Sequence, residues 1–175
     1  MTFQYSTTEL DAQIDALPAL LQGWFNWIGL VIVLMPLLFI RRPQARVALA
    51  CAVVLLAVAL PLSRVVGISY FLSLPHLVLW TPLVFYFCNQ LRRGHIPVKS
   101  LFGIWSLLLV ATCIISLVFD GRDFTRWLLG ERAIMTIPEN PQVPWVSLSF
   151  IVVALTAAGV YIFRNRGAVS GPSVS

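Results

Sequence analysis

Charge is scarce in this sequence. Its 175 residues include 12 Lys or Arg and 7 Asp or Glu, 11% of the chain, where an average soluble domain carries roughly 25%. Hydrophobic residues make up 59%, and the mean hydropathy is +0.88. That balance excludes an ordinary water-soluble domain. A bilayer core about 30 Å thick takes about 20 apolar residues per helix, so this length holds roughly four to six crossings and no separate soluble domain. The net charge of +5 would suggest nucleic acid if it were gathered on a soluble surface. Here the basic residues fall in short loops between apolar runs, so no nucleic acid is expected.

Cysteine and histidine are sparse too. Cys51, Cys88 and Cys113 are odd in number, far apart and inside apolar runs, which excludes a disulfide framework and reads as three small buried hydrophobes. Cys51 and Cys88 lie toward one membrane face with His95 just beyond, one ligand short of a zinc site. His76 and His95 are 19 residues apart on nearly one helix, about 28 Å at the helical rise, so they cannot share a metal within one subunit. Hydrogen bonding to a neighbouring helix is the expected use of His76. No Gly-rich phosphate loop, metalloprotease helix or nucleophile elbow is present, and neither a cofactor nor a metal is expected. The region before Trp24 holds Glu9, Asp11 and Asp15 but no Lys or Arg, unlike the basic start of a cleaved signal peptide. No internal repeat stands out.

What is present is a series of apolar runs. They predict an all-α, polytopic membrane protein with five spans at about 24–40, 47–62, 74–91, 101–119 and 145–163. Trp24, Phe25 and Trp27 open the first span as interfacial aromatics, and Pro36 is expected to kink it. Ala48, Ala50, Ala52, Ala57 and Ala59 give the second span a smooth surface for close packing. Pro75 and Pro82 make the third the one expected to bend most. Before them, residues 1–23 form an acidic tail with a short amphipathic helix over about Glu9 to Leu17, opened by the Thr8 and Asp11 spacing. Leu10, Ile14 and Leu17 share one side of it, which suits a helix lying along the membrane surface. Residues 164–175 read as a disordered tail.

Orientation follows from the loops. Residues 41–46 and 92–100 and the tail after 163 share a side and hold Lys and Arg without acids, whereas all seven acids lie opposite. The positive-inside rule makes the first side cytoplasmic. The expected location is a cell membrane, read as a bacterial inner membrane, with the N-terminus outside and the C-terminus in the cytoplasm.

One stretch concentrates what charge there is. Asp120, Arg122, Asp123, Arg126, Glu131 and Arg132 lie within thirteen residues at the end of the fourth span, with Trp127 among them. The spacing predicts a short interfacial helix between spans four and five. Asp120 caps it, Asp123 favours its positive end, and Asp123 pairs with Arg126. Phe124, Trp127 and Leu128 face the lipid and Arg122 and Arg126 face away. These residues read as a surface anchor contacting headgroups, or as a docking surface for a partner. A catalytic pair of Asp120 and Asp123 is the weaker alternative, and no catalytic residue is assigned.

The expected function is therefore that of a small integral membrane protein without a catalytic site, a structural or interaction subunit that assembles with itself or with a larger membrane complex. The alternative is a small transporter or channel subunit bending at Pro36, Pro61, Pro75 and Pro82. The absence of Asp, Glu, Lys and Arg from the expected span interiors weighs against ion pumping.

Overall fold

Four apolar runs become four long helices because a bilayer offers the backbone no other hydrogen-bond partners. The computed structural model describes residues 4–131. Helix α1 covers Thr7–Asp15, followed by α2 over Ala19–Leu38, α3 over Pro43–Val66, α4 over Tyr70–Arg92 and α5 over Leu101–Leu128. All of α2 to α5 are long and apolar enough to cross a membrane. Among the described residues there is no β-strand. The expected fifth span at 145–163, the Pro-rich stretch before it and the tail at 164–175 lie outside the described residues.

Helix α1 starts two residues earlier than the sequence suggests. Its cap is Ser6, whose Oγ accepts from the Glu9 backbone N–H at 3.3 Å while Glu9 Oε2 accepts from the Ser6 N–H at 2.7 Å. This Ser-x-x-Glu box satisfies two orphan donors, which the Thr8 and Asp11 spacing would not. Leu10 and Leu17 are buried against the rest of the protein instead of resting on lipid, and only Ile14 of that trio is exposed. The segment is tied down at several points. The Gln4 and Tyr5 amides donate to the Arg64 carbonyl at 2.9 and 3.0 Å, and Gln13 Oε1 accepts from the Ile68 N–H at 2.8 Å. Gly67, at φ +67°, turns the chain there in a conformation that favours glycine, and a Cβ would press on the Tyr5 ring at 3.2 Å.

Hydrogen bonds from the Ser6 backbone and hydroxyl hold the Glu9 carboxyl below its usual pKa. A carboxylate stabilised in the folded state contributes at neutral pH and loses that contribution as the pH falls through its lowered pKa. Amide exchange protection in α1 is therefore expected to drop on acidification, and the drop to vanish in Glu9→Gln.

Helix α2 begins at Ala19, five residues before Trp24, so Trp27 lies well inside it. The Trp27 indole N–H donates to Thr112 Oγ1 at 3.1 Å, joining α2 to α5. Pro36 acts on the turn before it. Over Gly29–Leu34 the backbone widens to a π turn, with the Met35 N–H donating to the Leu30 carbonyl. In that register the Val31 carbonyl would next meet the N–H of residue 36, which proline lacks. The buried indole of Trp105 supplies the missing donor, at 3.0 Å from the Val31 oxygen.

Helix α3 opens with Pro43 in its first turn, where a missing N–H costs nothing. It buries Ala45, Ala48, Ala52 and Leu55 along one stripe, while Val53, Val54, Leu56, Val58 and Leu60 face outward. Of the alanines expected to pack, Ala50 and Ala57 are exposed. The helix runs to Val66 and so includes Arg64, beyond the expected end at residue 62.

Helix α4 enters through a 3-10 turn at Tyr70–Leu72 and continues as α-helix through Pro82 to Arg92. Ser100 then caps α5, accepting from the Gly103 N–H at 3.0 Å.

Helix α5 is the most enclosed of the four spans. Leu109 and Cys113 are fully buried in it, as is Ser106, whose hydroxyl bonds its own helix at the Phe102 carbonyl. Phe39, Phe87, Phe102 and Trp105 form an aromatic knot around its first turns, with ring centroids 5.4 to 5.8 Å apart. Arg42 lies over the Phe102 ring at 5.6 Å. Apolar burial drives little helix association within lipid, so shape fit and these interhelical bonds carry the packing.

The connectivity sorts charge between the two ends of the bundle. Arg41, Arg42, Arg46, Arg92, Arg93 and Lys99 are exposed around the start of α5. Glu9, Asp11, Asp15, Asp120, Asp123 and Glu131 belong to the other end.

Candidate functional site

The charged stretch does not form a separate helix. Helix α5 continues without a break from Leu101 to Leu128, so Asp120 is an interior residue of a long helix and not a cap. At 28 residues the helix is about 42 Å long, against about 30 Å of hydrocarbon. Helical bonding already satisfies the backbone at residue 120. Its carboxylate is then free to bond a neighbour.

That neighbour is His76, in the first turns of α4. Its Nδ1 lies 3.2 Å from Asp120 Oδ1, with side-chain exposures of 26% for His76 and 14% for Asp120. The expected bond from His76 to another helix is therefore present, and its partner is a residue read from the sequence as a helix start. The same contact puts an ionisable pair inside the apolar helices, where the sequence suggested none. Asp120 Oδ2 is buried and has no hydrogen-bond partner among the described residues. One turn further along α4, Trp80 stacks on the imidazole at 4.4 Å between centroids and 25° between planes. Trp80 itself is fully buried, and its indole N–H also lacks a partner there.

The rest of the stretch folds onto the 3-10 turn that opens α4. Arg126 donates to Glu131 Oε2 from Nε and Nη2, both at 2.7 Å. Its guanidinium lies 4.5 Å from the centre of the Tyr70 ring, within cation–π range. The expected Asp123 to Arg126 pair gives way to Arg126 with Glu131, because Arg126 leans toward Tyr70 and the C-terminal end of the helix. Trp127 packs on Phe71 at 4.6 Å and on Phe124 at 6.0 Å. The face expected to rest on lipid is thus partly covered by protein. Leu128 and Leu129 stay open at 63% and 80% exposure, and Arg122 is exposed. Arg132 lies outside the described residues.

Tyr70, Phe71 and Trp80 belong to the site without having been singled out from the sequence. The spacing of His76 and Trp80, four residues apart, puts them on one helix face and was the readable signal. At the opposite end of the bundle, His95 Nδ1 is 2.9 Å from Gln90 Oε1. Among the described residues, no three His, Cys, Asp or Glu side chains gather as a metal would need.

Chemically, the site offers a carboxylate and an imidazole in hydrogen-bond contact, an aromatic face beneath the imidazole, and a fixed cation one to two turns away. On α4, the Ser73 hydroxyl is engaged with the Tyr70 carbonyl at 2.6 Å. Such a set exchanges protons and holds charge. No protein-family model, no curated protein and no solved structure matches the chain.

Proposed function

We propose that this is a non-catalytic integral membrane protein that works by association, as a subunit of an oligomer or of a larger membrane complex, with the projecting end of α5 as its contact. The observation that carries the reading is the continuous helix. About 42 Å of helix outruns about 30 Å of hydrocarbon, so its last turns stand in the interfacial layer. Contacts of Arg126 and Trp127 with Tyr70 and Phe71 hold those turns in place. Arg122, Leu128 and Leu129 are left open, a mixed charged and apolar surface that needs no reordering to bind.

The reading extends to topology. The exposed Arg and Lys around the start of α5 support a cytoplasmic side there and an outer side for the acidic end. With the apolar run at 145–163 as a fifth span, the C-terminus falls in the cytoplasm of a bacterial inner-membrane protein, and residues 120–128 serve as the interfacial element. A C-terminal reporter active only outside the cytoplasm would overturn this orientation.

The association reading predicts a fixed copy number above one, or a constant companion, for protein extracted from its native membrane and weighed by native mass spectrometry. Combining Arg122→Glu with Leu129→Glu is expected to reduce that assembly to the monomer while the amount inserted stays the same. A wild-type protein that is strictly monomeric and without companions defeats the proposal.

A second reading, a transporter or channel subunit, is favoured by the His76 and Asp120 pair, since ionisable residues among spans mark ion and proton pathways. Flux into reconstituted liposomes that disappears in Asp120→Asn would promote it over the first.

A further inference from the structure

We infer that His76 and Asp120 form one proton-binding site joining α4 to α5, and that its occupancy sets how firmly the start of α4 is held against α5. The inference holds whether the protein associates or transports.

Three observations converge on the pair. The 3.2 Å contact makes the imidazole and the carboxylate a single acid–base unit. The second carboxylate oxygen is buried without a donor among the described residues, and a bare negative charge on a buried carboxylate is costly. The indole of Trp80 lies against the imidazole at 4.4 Å, close enough for its face to attract an imidazolium.

The proton count follows. With a neutral imidazole and an ionised carboxylate, the pair carries one negative charge in an apolar setting. Uptake of one proton gives either imidazolium with carboxylate or two neutral groups, and both states have zero net charge. A second proton would leave one positive charge. The singly loaded state needs the least solvation, and its charge-separated form has the stronger bond across the helices. Losing the proton leaves a weaker bond and an uncompensated anion.

The surroundings bias the same equilibrium. On α5, Asp123 lies in the next turn and Arg122 beside it, Arg126 is engaged with Glu131 and Tyr70, and Cys113 lies two turns below. The 3-10 turn contributes Tyr70, and α3 contributes Arg64 near its end. The π turn of α2 contributes no titratable group, and beyond the 3-10 turn α4 has none before Tyr86 apart from His76. Asp123 thus adds to the negative charge that proton loss would expose.

Trp80 makes the site readable, because a protonated imidazole in ring contact quenches indole emission. The test uses full-length protein in lipid nanodiscs, titrated with acid and base. The fluorescence difference between wild type and Trp80→Phe isolates the Trp80 signal, and a background lacking His95 removes the other imidazole. The expected result is a single one-proton transition in that signal. It should be displaced in Asp120→Asn, where the carboxylate that shares the proton is gone, and it should be absent in His76→Gln. Amide exchange over residues 70–76 should quicken on the alkaline side of the same transition in wild type and lose that step in Asp120→Asn. A flat Trp80 signal together with exchange at 70–76 that shows no pH step overturns the site. A transition that Asp120→Asn leaves in place shows an isolated histidine and overturns the pairing. Exchange at 70–76 that ignores the transition overturns the link to helix contact. If His76→Gln fails to insert, wild type and Asp120→Asn still decide all three points.

Discussion

A Gly103→Ala variant is expected to lose a large part of its stability, starting at the connection between α4 and α5. A Cβ at residue 103 would sit 2.2 Å from the Pro97 carbonyl oxygen, 2.6 Å from Val98 Cα and 2.8 Å from Val98 C. All three are backbone atoms and cannot rotate away as a side chain would. The turn has no slack elsewhere. Ser100 Oγ donates to the Pro97 carbonyl at 2.7 Å and accepts from Gly103 at 3.0 Å, and Ile96 is buried beneath. Overpacking a tight site costs about 1–3 kcal/mol and occasionally more, and an unyielding backbone argues for the upper part of that range. Gly121, on the same helix, supplies the control because a Cβ there meets nothing within 4 Å. Gly121→Ala should be neutral or stabilise by up to about 1 kcal/mol through helix propensity. Thermal unfolding of both variants in one detergent decides the matter, and equal melting temperatures would contradict this packing.

Removing the indole N–H of Trp105 should have the second large effect. Trp105→Phe leaves the Val31 carbonyl buried with no donor, at a cost of about 1–3 kcal/mol. That exceeds the average of about 0.6 kcal/mol for hydrogen bonds between membrane helices, because proline has already removed the alternative donor at position 36. Trp105→Ala adds a cavity and should cost about 3–5 kcal/mol. The cause can be isolated by a double-mutant cycle. Pro36→Ala restores an N–H near the orphaned carbonyl, so Trp105→Phe should cost less in that background than in wild type. Purely additive costs would mean that the π turn and the indole are unrelated.

The helices were legible because long apolar runs and the Arg41, Arg42, Arg92 and Arg93 stops leave the chain few alternatives in a bilayer. Charge marks where a span leaves the hydrocarbon but not where its helix stops, since Arg64 lies inside α3 and residues 120–126 lie inside α5. A helix longer than the hydrocarbon carries charge on its projecting turns, and a carboxylate within it is tolerated when another helix offers a partner. That partner, His76, is 44 residues away from Asp120 in the sequence, beyond the reach of helical periodicity. Tyr70 and Phe71 meet Arg126 and Trp127 through the same long-range packing. Their role depends on where α4 starts relative to the end of α5, which only the packed bundle defines. The cap of α1 differs in kind. Ser6 and Glu9 satisfy the local capping pattern better than Thr8 and Asp11, so local chemistry was enough to find it.

The tether between the N-terminal segment and the end of α3 has a bearing on biogenesis. Gln4 and Tyr5 are made before the Arg64 carbonyl and Ile68 amide that receive this segment, which follow only after two apolar helices. Helix α1 therefore can be seated only once α3 has been made. Once docked, it ties the start of α2 to the end of α3, so that a chain stopped before α3 lacks the groups that hold this segment.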